Sequence, residues 1–143
     1  MDHASFLQKL LIVLVLYKKR FDETSSYHTL ESLLKGSSPI SIFITDNSPE
    51  ACHVAHPQII YRHCAENRGL SSAYNEGAII ASQLHKDWML LLDQDTDIDI
   101  TFIRSMADAL GRYPDSVAFA PNLYDSYGRV SPFRWFMAIG RRT

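Results

Sequence analysis

Trp88-Met89-Leu90-Leu91-Leu92-Asp93-Gln94-Asp95-Thr96-Asp97 is the stretch on which the fold turns. An unbroken apolar run ends in three carboxylates at alternate positions. A run of that length suits a strand covered on both faces, as in a parallel sheet. The same pattern recurs upstream. Leu11 to Tyr17 is a β-branched and leucine run, and Ile40-Ser41-Ile42-Phe43-Ile44-Thr45 follows Pro39. Ile59-Ile60-Tyr61-Arg62 reads as a short third strand. Val117-Ala118-Phe119-Ala120 reads as a fifth, stopped by Pro121.

Helical spacing fills the gaps. Thr24 or Ser25 can cap a helix with Tyr27, Leu30, Leu33 and Leu34 on one face and Gly36 at its end. Leu70, Ala73, Gly77, Ile80, Ala81 and Leu84 fall at spacings of three and four, a core-facing stripe. Thr101 can cap a third helix that buries Phe102 or Ile103, Met106, Ala107 and Leu110. Strands alternating with helices predict an α/β fold: a mostly parallel, Rossmann-like sheet with helices on both faces and right-handed crossovers. Ligands of such sheets bind beyond the carboxyl ends of the strands. The polar residues there are Tyr17 and Lys18, Asp46 and Asn47, Asn67 and Gly69, and Asp93, Asp95 and Asp97.

Composition agrees and narrows the classes. The chain has 143 residues, 46 % hydrophobic and 21 % charged, enough for one domain with its own core. A formal net charge of -2 is no footprint for nucleic acid. Two cysteines make no disulfide framework and fit a reducing compartment. The run Leu10 to Leu16 is far below the roughly 18–20 residues of a membrane span. Asp2 before it and Tyr17-Lys18-Lys19-Arg20 after it argue for a buried first strand rather than a signal peptide.

Three alternate carboxylates repel one another unless a cation or wide solvation relieves them. Hard cations such as Mg²⁺ take carboxylate oxygens and keep positions for phosphate oxygens. A metal–diphosphate site is a natural use of Asp93, Asp95 and Asp97. A solvated acidic loop that starts the next helix is the plain alternative. The turn after the first strand has no glycine, so dinucleotide and P-loop phosphate cradles are excluded. A haloacid-dehalogenase-like phosphatase, with Asp93 as nucleophile, is another alternative. Its Asp-x-Asp-x-Thr follows a first strand, however, and here the fifth position is Asp97. Cys52, His53, His56, His63 and Cys64 match no standard zinc spacing. Solvated loop histidines account for them.

The motifs together resemble those of family 2 nucleotide-sugar glycosyltransferases of the GT-A fold, and of the bacterial rhamnosyltransferase-like branch within it. Val13-Leu14-Val15-Leu16-Tyr17 is similar to the opening strand, and Ile44-Thr45-Asp46-Asn47-Ser48 to the turn after strand two. Asn67-Arg68-Gly69 with Asn75-Glu76-Gly77 resembles the start of the family's helix. Leu91-Leu92-Asp93-Gln94-Asp95-Thr96 resembles its Asp-x-Asp site, with rhamnosyltransferase-like wording. The resemblance covers roughly residues 10–121.

It implies roles for particular residues. Asp46 would bind the base or ribose of the donor, with Leu16 and Tyr17 lining the same pocket. Asn67 and Gly69 would close over the nucleotide. Asp93 would contact ribose or metal-bound water, and Asp95 would ligate Mg²⁺ or Mn²⁺ on the diphosphate. Lys18 stands where the family often has Asn. The implied reaction is inverting transfer from a UDP- or dTDP-sugar to a hydroxyl of a saccharide or lipid-linked acceptor. The implied setting is cytoplasmic, at the inner face of the membrane in polysaccharide biosynthesis.

Metal on both phosphates stabilises the leaving group, and a carboxylate base must take the acceptor's proton. The family's base lies in a downstream Glu-Asp motif. No such pair follows Asp97, where the acids are Asp99, Asp108, Asp115 and Asp125, so the catalytic base is unassigned. Residues 1–143 are accordingly expected to form a single GT-A-like nucleotide-sugar-binding domain without its acceptor half. A catalytically silent binding fragment is the alternative. Phe133, Trp135, Phe136, Met137 and Ile139, with Arg134, Arg141 and Arg142, are read as core or the stump of an interface. Contact with an acceptor sugar or a membrane surface is the less favoured use.

Overall fold

A computed structural model describes residues 2–36, 39–129, 133–136 and 139–142, with side chains described only as far as residue 129. Two compact units divide the chain, Met1–Arg112 and Tyr113–Thr143. The first carries α1 (His3–Lys9), β1 (Leu10–Leu16), α2 (Tyr27–Lys35), β2 (Ser41–Asp46) and β3 (Ile59–His63). It continues with α3 (Gly69–Gln83), β4 (Trp88–Asp93) and α4 (Ile100–Arg112). The four strands form one sheet in the order β3-β2-β1-β4, every pair parallel. The fold is α/β, as the alternation of strands and helices predicts.

β1 is central, and all seven of its residues are buried. Leu11 and Val13 face α3, packing with Phe43, Ile80 and Ala81. Ile12, Leu14, Ile42 and Ile44 alternate with them and are also buried completely, so the sheet is covered on its other face too. Each such side chain contributes about 1.5–3 kcal/mol of burial. α1 packs on β1 and α4, and Asp2 caps it by accepting a hydrogen bond from the Ser5 amide at 2.9 Å. The sequence pattern did not announce this helix, because seven residues span less than two turns of periodicity.

Five expectations need correcting. Neither Thr24 nor Ser25 is the cap of α2; Ser26 holds that position, without a side-chain capping bond. Val117–Ala120 forms no strand, and Val117 is 93 % exposed. That run holds a single β-branched residue and two alanines, a weak strand former. β4 is not fully buried: it lies at the edge of the described sheet, with Met89 and Leu91 exposed. The α3 stripe is buried at Ala73, Gly77, Ile80 and Ala81, but Leu70 and Leu84 at its ends are exposed. Asp99, not Thr101, caps α4, accepting from the Phe102 amide at 2.7 Å.

In the second unit, β5 (Tyr124–Asp125) pairs antiparallel with β6 (Gly128–Arg129), and β7 (Phe133–Phe136) with β8 (Ile139–Arg142). Asp125 Oδ1 accepts from the Tyr127 amide at 2.8 Å and closes the first of these turns. Met137 lies outside the described residues, as do the side chains of the aromatic and basic tail.

Gly77 sets how closely α3 approaches the sheet. A Cβ at this position would stand 2.8 Å and 3.3 Å from the two Cγ atoms of Val13. Val13 is fully buried and its branched side chain is stiff, so it cannot swing away. Gly77→Ala is therefore expected to lower stability by about 1–2 kcal/mol in urea unfolding, despite alanine's better helix propensity. Adding Val13→Ala should recover part of the lost helix–sheet fit, giving a smaller loss than the two single changes summed.

Candidate functional site

The carboxyl ends of β1, β2 and β4 converge, and the register fixes how. Leu16 stands opposite Asp46 on one side, and Val15 opposite Asp93 on the other. Neighbouring strands are about 4.8 Å apart, so both acids flank the end of the central strand.

Asp46 is buried completely. Its Oδ1 accepts from the Ser48 amide at 3.0 Å. Its Oδ2 accepts from the Tyr61 hydroxyl at 2.6 Å and the Cys52 amide at 3.0 Å. Burial pushes the carboxyl up, but the hydrogen bonds from Ser48, Tyr61 and Cys52 outweigh it and hold the group well below the usual carboxylate range. Burial, and then Asp46, push the Tyr61 phenol well above its ordinary value. Tyr61 lies on β3, and no local motif marks its partnership with an acid 15 positions away.

Leu16, expected to line the donor pocket, is also fully buried, and its carbonyl accepts from the Asn47 amide at 2.8 Å. Asn47 is 3 % exposed and lies on the wall of a cleft of about 370 Å³ between the ends of β2 and β3 and the start of α3. Among the described residues its Oδ1 has no hydrogen-bond partner, and neither has the buried Oγ1 of Thr45 on the same wall. Gly69 opens α3 at this cleft with φ +76°, a left-handed conformation open to glycine at little cost. Asn67, at φ 47°, accepts from the Gly69 amide at 3.3 Å and so shapes the turn. Arg62 pairs with Glu76 at 2.8 Å, and both residues line the cleft.

The acidic cluster begins at the last residue of β4. Asp93, Asp95 and Asp97 are all exposed. Asp93 Oδ1 stands 3.4 Å from the Tyr74 hydroxyl of α3. Gln94 clamps the end of β1: its Oε1 accepts from the Tyr17 amide at 2.9 Å and its amide donates to the Tyr17 carbonyl at 3.4 Å. Tyr17 itself is 43 % exposed. Lys18 adopts φ 52°, and its amide donates to Ser48 Oγ at 2.8 Å. Lys19 Nζ then reaches Asp95 Oδ1 at 2.6 Å, and this bond holds the Asp95 carboxyl below its ordinary range.

Among the described residues no group of three or more His, Cys, Asp or Glu converges on one point. An exposed Asp95 still suits a hard cation, because Mg²⁺ commonly uses one or two carboxylates and takes its remaining oxygens from phosphate and water. Two of the histidines, His63 at the end of β3 and His56 in the loop before it, have local partners. His63 Nε2 lies 2.8 Å from the Ser48 carbonyl, and His56 Nδ1 accepts from the Gln58 amide at 3.2 Å.

Ligands of a parallel α/β sheet gather at the carboxyl edge, where these acids and buried polar groups lie. The model of glycosyl transferase family 2 matches residues 12–137, and the chain belongs to that family. Its members bind a nucleotide-sugar donor and an acceptor. No curated protein sequence and no solved structure matches the chain.

Asp46 also makes the structure acid-sensitive. Its folded pKa lies below the ordinary 3.8, so its contribution is complete above that value and is lost as pH falls through the folded value. The urea midpoint should drop steeply below about pH 4, and the Asp46→Asn variant should lose that part of the slope. Tyr61→Phe leaves one donor fewer on the buried charge and should cost about 1.5–3 kcal/mol at neutral pH.

Proposed function

We propose that this chain binds a nucleotide-diphosphate sugar across the ends of β1, β2 and β4 and passes the sugar, with inversion, to an acceptor hydroxyl. The observation that carries the reading is Asn47, which lines the cleft at the start of α3 and whose buried Oδ1 meets no donor among the described residues. An unmet buried acceptor costs about 1–3 kcal/mol, which a ligand N–H removes. Uracil and thymine each present one such N–H, in keeping with a UDP- or dTDP-sugar. Asp46, enclosed by its own donors, holds the turn at Ser48 rather than touching the base. Tyr17, Asn67 and Gly69 border the nucleotide.

Asp95, with Asp93 beside it, would hold Mg²⁺ or Mn²⁺ at the diphosphate. That cation supplies charge stabilisation for the departing nucleoside diphosphate. The protein's share is orientation. Gln94 locks the end of β1 to the acidic loop, so the nucleotide side and the phosphate side of the site keep a fixed spacing. The Leu-Asp-Gln-Asp wording favours the rhamnosyltransferase-like branch, acting on saccharide or lipid-linked acceptors. No helix among the described residues is long and apolar enough to cross a membrane. Two free cysteines suit a cytoplasmic setting, with lipid-linked acceptors reached at the membrane's inner face.

Calorimetric titration with UDP or dTDP in Mn²⁺ tests this reading. Binding should require the cation and vanish with Asp95→Ala. Asn47→Ala should weaken the nucleotide about tenfold, the loss of one well-made hydrogen bond in a buried site. Cation-independent binding, or binding untouched by either change, would overturn it.

A further inference from the structure

Lys19 reaches across from the loop after β1 to the acid assigned above to the cation. Its ammonium stands 2.6 Å from Asp95 Oδ1. The lysine side chain is 28 % exposed while Asp95 is 73 % exposed, so the pair is covered on the lysine side and open on the carboxylate side. The neighbouring lysine does not share this task, because Lys18 Nζ lies over the Tyr17 ring, 5.2 Å from its centroid.

The approach is built into the backbone. Lys18 occupies the left-handed region, at φ 52°, a conformation that disfavours a side chain. Ser48 Oγ holds it there by accepting the Lys18 amide, and Gln94 fixes the preceding residue from the acidic loop. Ser26 Oγ donates to the Thr96 carbonyl at 2.5 Å, and the Ser25 amide to the Gln94 carbonyl at 3.0 Å, so the chain beyond Lys19 is tied to the same loop. Backbone on both sides of Lys19 is thus anchored to the elements that carry Asp95. A pair this exposed contributes little to stability, which leaves strain in its support without a structural return.

We infer that Lys19 competes with the divalent cation for Asp95 and gives the carboxylate up when a nucleoside diphosphate supplies an alternative anion for its ammonium. This rests on the donor-binding reading above. Cation and diphosphate then bind as a coupled pair, and the cation alone binds weakly. A positive charge at the carboxylate repels an incoming cation. The phosphates remove that opposition by drawing the lysine to themselves, and by linkage each ligand tightens the other by the same factor.

The test uses the full chain, free Mn²⁺ read by its electron paramagnetic resonance signal, and UDP. In the unaltered protein UDP should tighten Mn²⁺ at least about tenfold, and Mn²⁺ should tighten UDP by the same factor. Lys19→Met should bind Mn²⁺ without UDP at least about fivefold tighter, because a positive charge that repels the cation at the carboxylate is removed. The tightening by UDP should shrink by a similar factor. Lys19→Gln repeats the measurement with a polar side chain, and circular dichroism confirms folding of both. Equal or weaker Mn²⁺ binding by folded variants that still bind UDP with Mn²⁺ would overturn the role of Lys19. Failure of the unaltered protein to bind UDP at all would instead overturn the donor-binding reading, and this inference with it.

Discussion

A buried carboxylate is tolerated only where donors surround it, and Asp46 is the point from which this site is built. The Ser48 amide, the Cys52 amide and the Tyr61 hydroxyl meet its two oxygens. Those bonds fold the chain after β2 back onto its own strand end and tie it to β3. Ser48, held by its amide, turns its hydroxyl to Lys18. Lys18 sets the backbone that delivers Lys19 to Asp95. One ionised group therefore organises a relay from the cleft wall at Asn47 to the acid after β4. Hydrogen bonding to the charged form outweighs desolvation here, and the relay depends on that sign.

The sheet supplies the frame for this relay. β1 contributes no polar side chain of its own between Leu10 and Leu16, yet it sets the spacing between Asp46 and Asp93 by pairing with both neighbours. Gly77 lets α3 settle against Val13, and the same helix brings Gly69 to the cleft and Tyr74 to Asp93. Packing and chemistry are thus served by a single element, read at different points along its length.

The strands were legible because their apolar runs carry no competing period, and β1, β2 and β3 fall where those runs do. The carboxyl-end residues were legible for the same reason: strand ends predict where ligands gather in α/β sheets. What escaped was the partnership between residues far apart in sequence. Nothing local to Tyr61 marks its bond to Asp46, and nothing in Lys18-Lys19-Arg20 tells which cation reaches Asp95. Those pairings arise from parallel crossovers that place residue 19 beside residue 95, a separation of 76 positions. The misreadings have physical origins too. Val117–Ala120 looks apolar enough for a strand but lacks the branching that favours one, and the helical period of the α3 stripe does not tell that Leu70 and Leu84 at its ends are exposed.

β4 has one ladder neighbour among the described residues, and its Leu91 and Met89 are exposed beside that open margin. A margin of this kind offers backbone donors and acceptors along its length, with apolar side chains to reward whatever lies against it. Asp93 is its last residue, and Asp95 and Asp97 lie beyond its carboxyl end. The sheet can therefore grow by a strand on this flank while the ligand-facing rim keeps its shape, so enlargement and recognition occupy perpendicular directions of the same scaffold.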